Sequence, residues 1–170
     1  MNKVFKRLTA FATAMLMMFS IVPVHAATIN ASPENGYWFY GAGLFLDGGD
    51  LELNQVFTVG GTPAYCIQPT VKVTLEKDVY TTSTMSDYNA LSTETKAKLS
   101  EISYFGYGHT GRTDTEWYVA TQKAIWSALD SRYSGLIIYY APDDGNYLIM
   151  TDDKLVTSQI DADVTAIMEC

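Results

Sequence analysis

Hydrophobic and polar positions change their period several times along this chain, and each change marks an element. The uncharged run LTAFATAMLMMFSIVPV (8–24) follows a basic start, MNKVFKR, and leads to Val24 and Ala26 at the −3 and −1 positions of a cleavage site. Residues 1–26 therefore read as a secretory signal peptide cut after Ala26. A retained anchor helix is the alternative, for which the run is short. GYWFYGAGLFL (36–46) is aromatic and broken by glycines, a strand and turn, and DGGD (47–50) is a turn. LELNQVFTVGG (51–61) is strand-like up to its paired glycines. PAYCIQP (63–69) reads as a short strand bracketed by prolines with Cys66 at its centre, and VKVTLEKDVYTT (71–82) as further strand.

The period then becomes helical. STETKAKLSEISYFGYG (92–108) predicts a helix capped by Ser92 or Thr93, and HTGRTD (109–114) a loop. DTEWYVATQKAIWSALD (114–130) predicts a central helix capped by Asp114; it is apolar on most sides and should be buried. GLIIYYAPDDGNYLIMT (135–151) pairs two apolar runs across APDDGN as a hairpin. DKLVTSQIDADVTAIME (153–169) places Ile160, Val164, Ile167 and Met168 at helical spacing. No segment repeats.

Composition and charge narrow the classes. A chain of 170 residues suits one domain, and 48% hydrophobic with 12 tyrosines is enough for a packed core. After Ala26 there are 8 basic and 19 acidic residues, a formal net charge of −11. Such a domain repels nucleic acid and anionic lipid, so neither is an expected partner, and no membrane insertion of the mature domain is expected. Outside the cell, Cys66 and Cys170 read by default as one disulfide. Against that, Cys170 is the last residue, inside an expected helix with no linker or sorting signal, so the sequence reads as part of a longer protein.

Few reactive groups are left after the motifs are searched. His25 and His109 do not make a metal site, and there is no CxxC, HExxH or calcium loop. No phosphate loop and no G-x-S-x-G is present, so neither a metal nor a cofactor is expected. The acid pairs Asp143–Asp144 and Asp152–Asp153 fall in expected turns. Cys66 and Gln122 stand out. On a helix, Gln122 neighbours Tyr118, Val119, Ile125 and Trp126, all large and mostly apolar. Its amide is either a hydrogen-bonded core group or a reactant. Cys66 alone could be a small core residue, or a protease nucleophile with His109 as its only available base.

As a pair they could do more. A thiolate that attacks the glutamine amide carbon releases ammonia and leaves a Cys–Gln thioester. A free thiol of pKa ~8.5 is only a few per cent thiolate at neutral pH, and a carboxamide is a poor electrophile. Pre-positioning must therefore supply much of the barrier, up to about 7–11 kcal/mol for a well-oriented pair. Apolar surroundings would exclude the water that hydrolyses a thioester.

TQKAIW (121–126) resembles the TQxA motif of bacterial thioester domains, and YCIQP (65–69) resembles the cysteine motif that precedes it there. The order also resembles theirs: signal peptide, cysteine, helical insertion with YFGYG (104–108), glutamine helix. That resemblance covers most of residues 35–130 and implies that residues 27–170 form a thioester domain. It implies an α+β fold, an antiparallel β-rich part of sandwich or barrel type packed with a helical part, and the thioester between them. Matched residue by residue, Cys66 and Gln122 carry the cross-link. Tyr65, Tyr118 and Trp126 would line and shield it, Thr121 would pack the helix, and His109 is either a proton relay or a plain loop residue. The family sits at the tips of Gram-positive surface adhesins. By implication the module is secreted and cell-surface, monomeric and not an enzyme, and captures a lysine amine on a host extracellular protein. No stalk, domain repeat or sorting signal is visible. A noncovalent protein- or glycan-binding β-rich module with a structural Cys66 is the alternative, and a thiol enzyme the third reading.

Overall fold

The structure is a computed structural model that describes residues 27–31, 36–71, 79–80, 86–141 and 155–170. The expected signal peptide, the second run of the 135–151 hairpin and both acid pairs lie outside the described residues. Among the described residues there are seven strands: β1 (Ala27–Ala31), β2 (Tyr37–Tyr40), β3 (Leu51–Leu53), β4 (Phe57–Val59), β5 (Thr62–Ala64), β6 (Val79–Tyr80) and β7 (Ile137–Tyr140). They form two antiparallel sheets, ordered β5-β4-β1-β6 and β3-β2-β7. The fold is α+β as expected, with open sheets and no closed barrel among the described residues.

LELNQVFTVGG is not one strand. It divides into β3 and β4, which belong to different sheets. The break is at Asn54, whose N–H donates to Tyr37 O at the start of β2, at 2.8 Å, as the chain leaves β3. Gly60 and Gly61 both hold positive φ, 58° and 81°, in the two-residue turn between β4 and β5. Two positive φ values are what a tight hairpin turn requires, and glycine meets that without strain.

The described residues also form four α-helices: α1 (Ser86–Ala90), α2 (Thr93–Phe105), α3 (Thr115–Leu129) and α4 (Thr157–Met168). The short α1 was not anticipated. Ser92 caps α2 by accepting the Thr95 N–H at 3.0 Å. Asp114 occupies the cap position of α3, but its side chain makes no capping bond. Helix α3 is the centre of the molecule. Every residue from Tyr118 to Trp126 is buried, as its apolar circumference predicts. α2, α4 and a 3-10 turn (Ser131–Gly135) pack around it. Ile160 and Ile167 bury against this core, whereas Met168 is 44% exposed. One residue past Ile167 is about 100° further round the helix, which turns Met168 outward.

The glycine after α2 is a steric requirement. A Cβ on Gly106 would overlap Oγ1 and Cγ2 of Thr121 on α3. Thr121 cannot yield, because its hydroxyl donates to Trp117 O at 2.6 Å and accepts the Tyr107 N–H at 2.9 Å. Gly106→Ala is expected to destabilise the fold by about 1–3 kcal/mol, the usual cost of overpacking, measured as a lowered urea midpoint.

Candidate functional site

Cys66 is not on a strand. The β4–β5 ladder ends at Ala64, and the backbone beyond it is taken over by side chains of α3. Tyr118 Oη donates to Ala64 O at 2.6 Å and accepts the Phe57 N–H at 3.1 Å. Gln122 Oε1 accepts the Cys66 N–H at 2.9 Å, and Gln122 Nε2 donates to Cys66 O at 2.8 Å. Trp126 Nε1 donates to the same carbonyl, also at 2.8 Å. Tyr118, Gln122 and Trp126 are spaced by four, so they lie on one face of α3. That face substitutes for a neighbouring strand, which is why the proline-bracketed segment leaves the sheet after β5. Pro63 is inside β5, tolerated because β5 is an edge strand.

The carboxamide of Gln122 is thus clamped at both ends by the backbone of the residue that carries the thiol. Gln122 is 3% exposed. Around the pair, the Tyr65 ring stacks on Tyr118 with centroids 5.0 Å apart, and Tyr107 meets Tyr118 edge-on at 5.6 Å. Burial pushes the Tyr65 hydroxyl up to about 12, against a smaller pull from Thr121. That buried hydroxyl has no hydrogen bond in good geometry among the described residues, since the Thr121 hydroxyl is committed to Trp117 and Tyr107. His109 is elsewhere. It packs on Tyr104 and Phe105 with centroids 5.4 and 5.3 Å away and makes no hydrogen bond to Cys66 or Gln122. With Tyr65, Tyr104 and Tyr107 it lines a cleft of about 630 Å³. Tyr65 is therefore the shared wall between that cleft and the Cys66–Gln122 pair.

Cys66 and Cys170 are both free, so the default disulfide is not formed. Cys170 lies exposed at the end of α4, where its Sγ is 3.1 Å from Ala166 O. Burial pushes the Cys66 thiol above its ordinary range; the Gln68 backbone N–H pulls it down, and the charge of Glu52 raises it further. For any form that keeps this thiol, stability is full below the unfolded value of ~8.5 and is lost as pH rises towards the higher folded value, because the unfolded chain releases its proton first. Gln122→Ala, which keeps the thiol, is expected to lose more stability across that window than the Cys66→Ala/Gln122→Ala double variant. Urea unfolding at pH values on either side of the window measures the difference.

Two residues of consequence were not singled out in the sequence. Lys123, inside the TQKA stretch, is 2% exposed; its Nζ donates to Leu136 O at 2.7 Å and pairs with Asp161 at 2.6 Å. A buried lysine beside an acid 38 residues away in sequence leaves no local signal. Glu52 lies opposite Phe39 in the β2–β3 ladder, on the side of that sheet that faces α3. Alternation in LELN suggests the reverse, a solvent-facing acid between two buried leucines.

Fold and site together define an α+β module in which one buried helix presents a glutamine amide to the backbone of a cysteine. The family model of the thioester domain matches residues 63–169, well over half of the chain, and the chain belongs to that family. No curated protein and no solved structure matches it. The match runs through α4, so the C-terminal helix is part of the same module as the glutamine helix that it packs on.

Proposed function

We propose that Cys66 and Gln122 condense to an internal thioester, and that the module is a secreted surface adhesin that captures a primary amine of a host protein through it. The observation that carries the reading is the double hydrogen bond between the Gln122 carboxamide and Cys66. Attack by sulfur on the amide carbon builds negative charge on Oε1, and the Cys66 N–H is already there to meet it at 2.9 Å. The departing nitrogen is held by Cys66 O, which keeps its bond from Trp126 after ammonia leaves. Burial by Tyr118 and Trp126 keeps water from the product bond. In the second half, a lysine amine attacks the same carbon, Gln122 becomes an isopeptide and Cys66 returns as a thiol. The module acts once and is consumed, so it is not an enzyme.

The tyrosine-lined cleft beside Tyr65 supports a route by which a partner side chain reaches the bond. The same cleft also supports the second reading, a noncovalent binding module. Incubation with lysine-bearing extracellular matrix and plasma proteins separates them. Covalent capture gives conjugates that survive boiling in detergent and reductant, and Cys66→Ala and Gln122→Ala give none. Full partner binding by both variants would move the function to the noncovalent module.

A further inference from the structure

Thioester formation and aminolysis each move a proton between the Cys66 sulfur and a nitrogen, and that transfer calls for a carrier. His109 is the only histidine after residue 26, and it is held among Tyr104, Phe105 and the cleft. Glu52 is placed to serve. Directly opposed residues of an antiparallel pair project to the same face, and Glu52 opposes Phe39. Phe39 is 1% exposed and meets the Trp126 ring at 5.0 Å, while Trp126 Nε1 is bonded to Cys66 O. Glu52 therefore sits on the face of its sheet that α3 covers, and Leu51 and Leu53 sit on the other. Asn54, two residues on, follows the same side; it is 4% exposed, and its Nδ2 has no partner among the described residues. A half-buried carboxylate without an ion-pair partner among the described residues is a costly feature for a fold to keep on its core side.

We propose that Glu52 is the proton shuttle of the Cys66–Gln122 thioester, an assignment that rests on the cross-link reading above. As the S–C bond forms, the Glu52 carboxylate takes the thiol proton; as the C–N bond breaks, it returns that proton to the leaving nitrogen, and ammonia departs. In capture, it takes a proton from the attacking amine nitrogen and delivers it to the Cys66 sulfur as the S–C bond breaks. Glu52 ends each half as it began, and no oxidant or reductant is involved. Burial holds its carboxyl above the ordinary carboxylate range, which matches it to proton transfer nearer neutrality. Among the described residues, the titratable groups that face this region are the Cys66 thiol, Tyr118 from α3 and Tyr133 from the 3-10 turn. Both tyrosine hydroxyls donate to carbonyls, Ala64 O and Leu44 O, and burial raises both. Tyr40 is on the opposite face of β2, and Asp50 accepts the Gly43 N–H at 2.7 Å. The carboxyl and the thiol are thus the pair that titrates.

The test follows release of the Cys66 thiol by hydroxylamine, an amine far less basic than a lysine side chain, as a function of pH, with each rate taken per unprotonated amine. Wild type should slow as a carboxyl is protonated on the acid side. Glu52→Gln should react at least ~10²-fold more slowly and lose that acid limb, or fail to form the thioester while it keeps its near-UV spectrum. Glu52→Asp, which keeps the acid, should recover part of the rate. A Glu52→Gln variant with the wild-type rate and profile overturns the assignment and leaves the thioester standing. Should that variant not fold, a wild-type rate that is flat from mild acid to neutrality, per unprotonated amine, overturns it equally. A wild type that never loses ammonia removes the cross-link itself, and the shuttle with it.

Discussion

Cys66→Ser and Gln122→Glu are each expected to abolish covalent incorporation of methylamine, a loss as large as the assay can read. Serine keeps the backbone bonds that clamp Gln122, so the site geometry survives; what goes is the nucleophile, because an alcohol supplies far less anion than a thiol at neutral pH. Glutamate keeps an oxygen for the Cys66 N–H but exchanges the Nε2 donor for a second acceptor that meets Cys66 O. A carboxylate is also not an acyl donor. The stability costs differ accordingly, near zero for serine and about 1–3 kcal/mol for glutamate. The reactivity lost is that of a pre-positioned pair, whose effective molarity can reach ~10⁵–10⁸ M. Mass spectrometry after methylamine treatment reads both variants. Residual labelling of Gln122 in the serine variant would show that the thiol is not required.

The largest effect on stability is expected at Asp161. Lys123 Nζ is inside the molecule, between Leu136 O and Asp161, and Asp161 is 49% exposed. Asp161→Ala strands a buried ammonium with one carbonyl partner. That should cost about 3 kcal/mol, the lower end of the range for breaking a buried pair, since water reaches the acid. Lys123→Met is the milder change although it deletes the buried member. Asp161 can turn to solvent, the methionine fills the volume, and the loss is about 1 kcal/mol for the bond to Leu136 O. Denaturant midpoints rank the two. The same pair ties α4 to the glutamine helix, so Asp161→Ala should also raise water access to Gln122 and shorten the lifetime of the thioester. A lysine variant weaker than the aspartate variant would mean that the ion pair is not what holds α4.

Much of this arrangement was legible because the signals were local. The helix 114–130 is apolar all round, and a helix of that kind has to be the core. Ser92 before Thr95 caps as its type predicts. Gln122 among Tyr118, Val119, Ile125 and Trp126 announced a buried amide that needed partners. The partners themselves were not legible, because they are backbone groups 56 residues away. The strand reading of PAYCIQP failed for the same reason. Its residue types favour extension, but the hydrogen bonds after Ala64 go to side chains of α3 instead of a neighbouring strand. Lys123 and Asp161 meet only through packing of α4 on α3. Glu52 depends on register, and a three-residue edge strand is too short for alternation to reveal which side faces in.

Intact-mass measurement of the chain from Ala27 onward tests the central claim most directly. The thioester predicts a native protein lighter than its sequence by one ammonia, with no titratable thiol at Cys66, and a Cys66→Ala variant at its full sequence mass. A wild-type protein at full mass, with the Cys66 thiol reactive in the folded state, would contradict it.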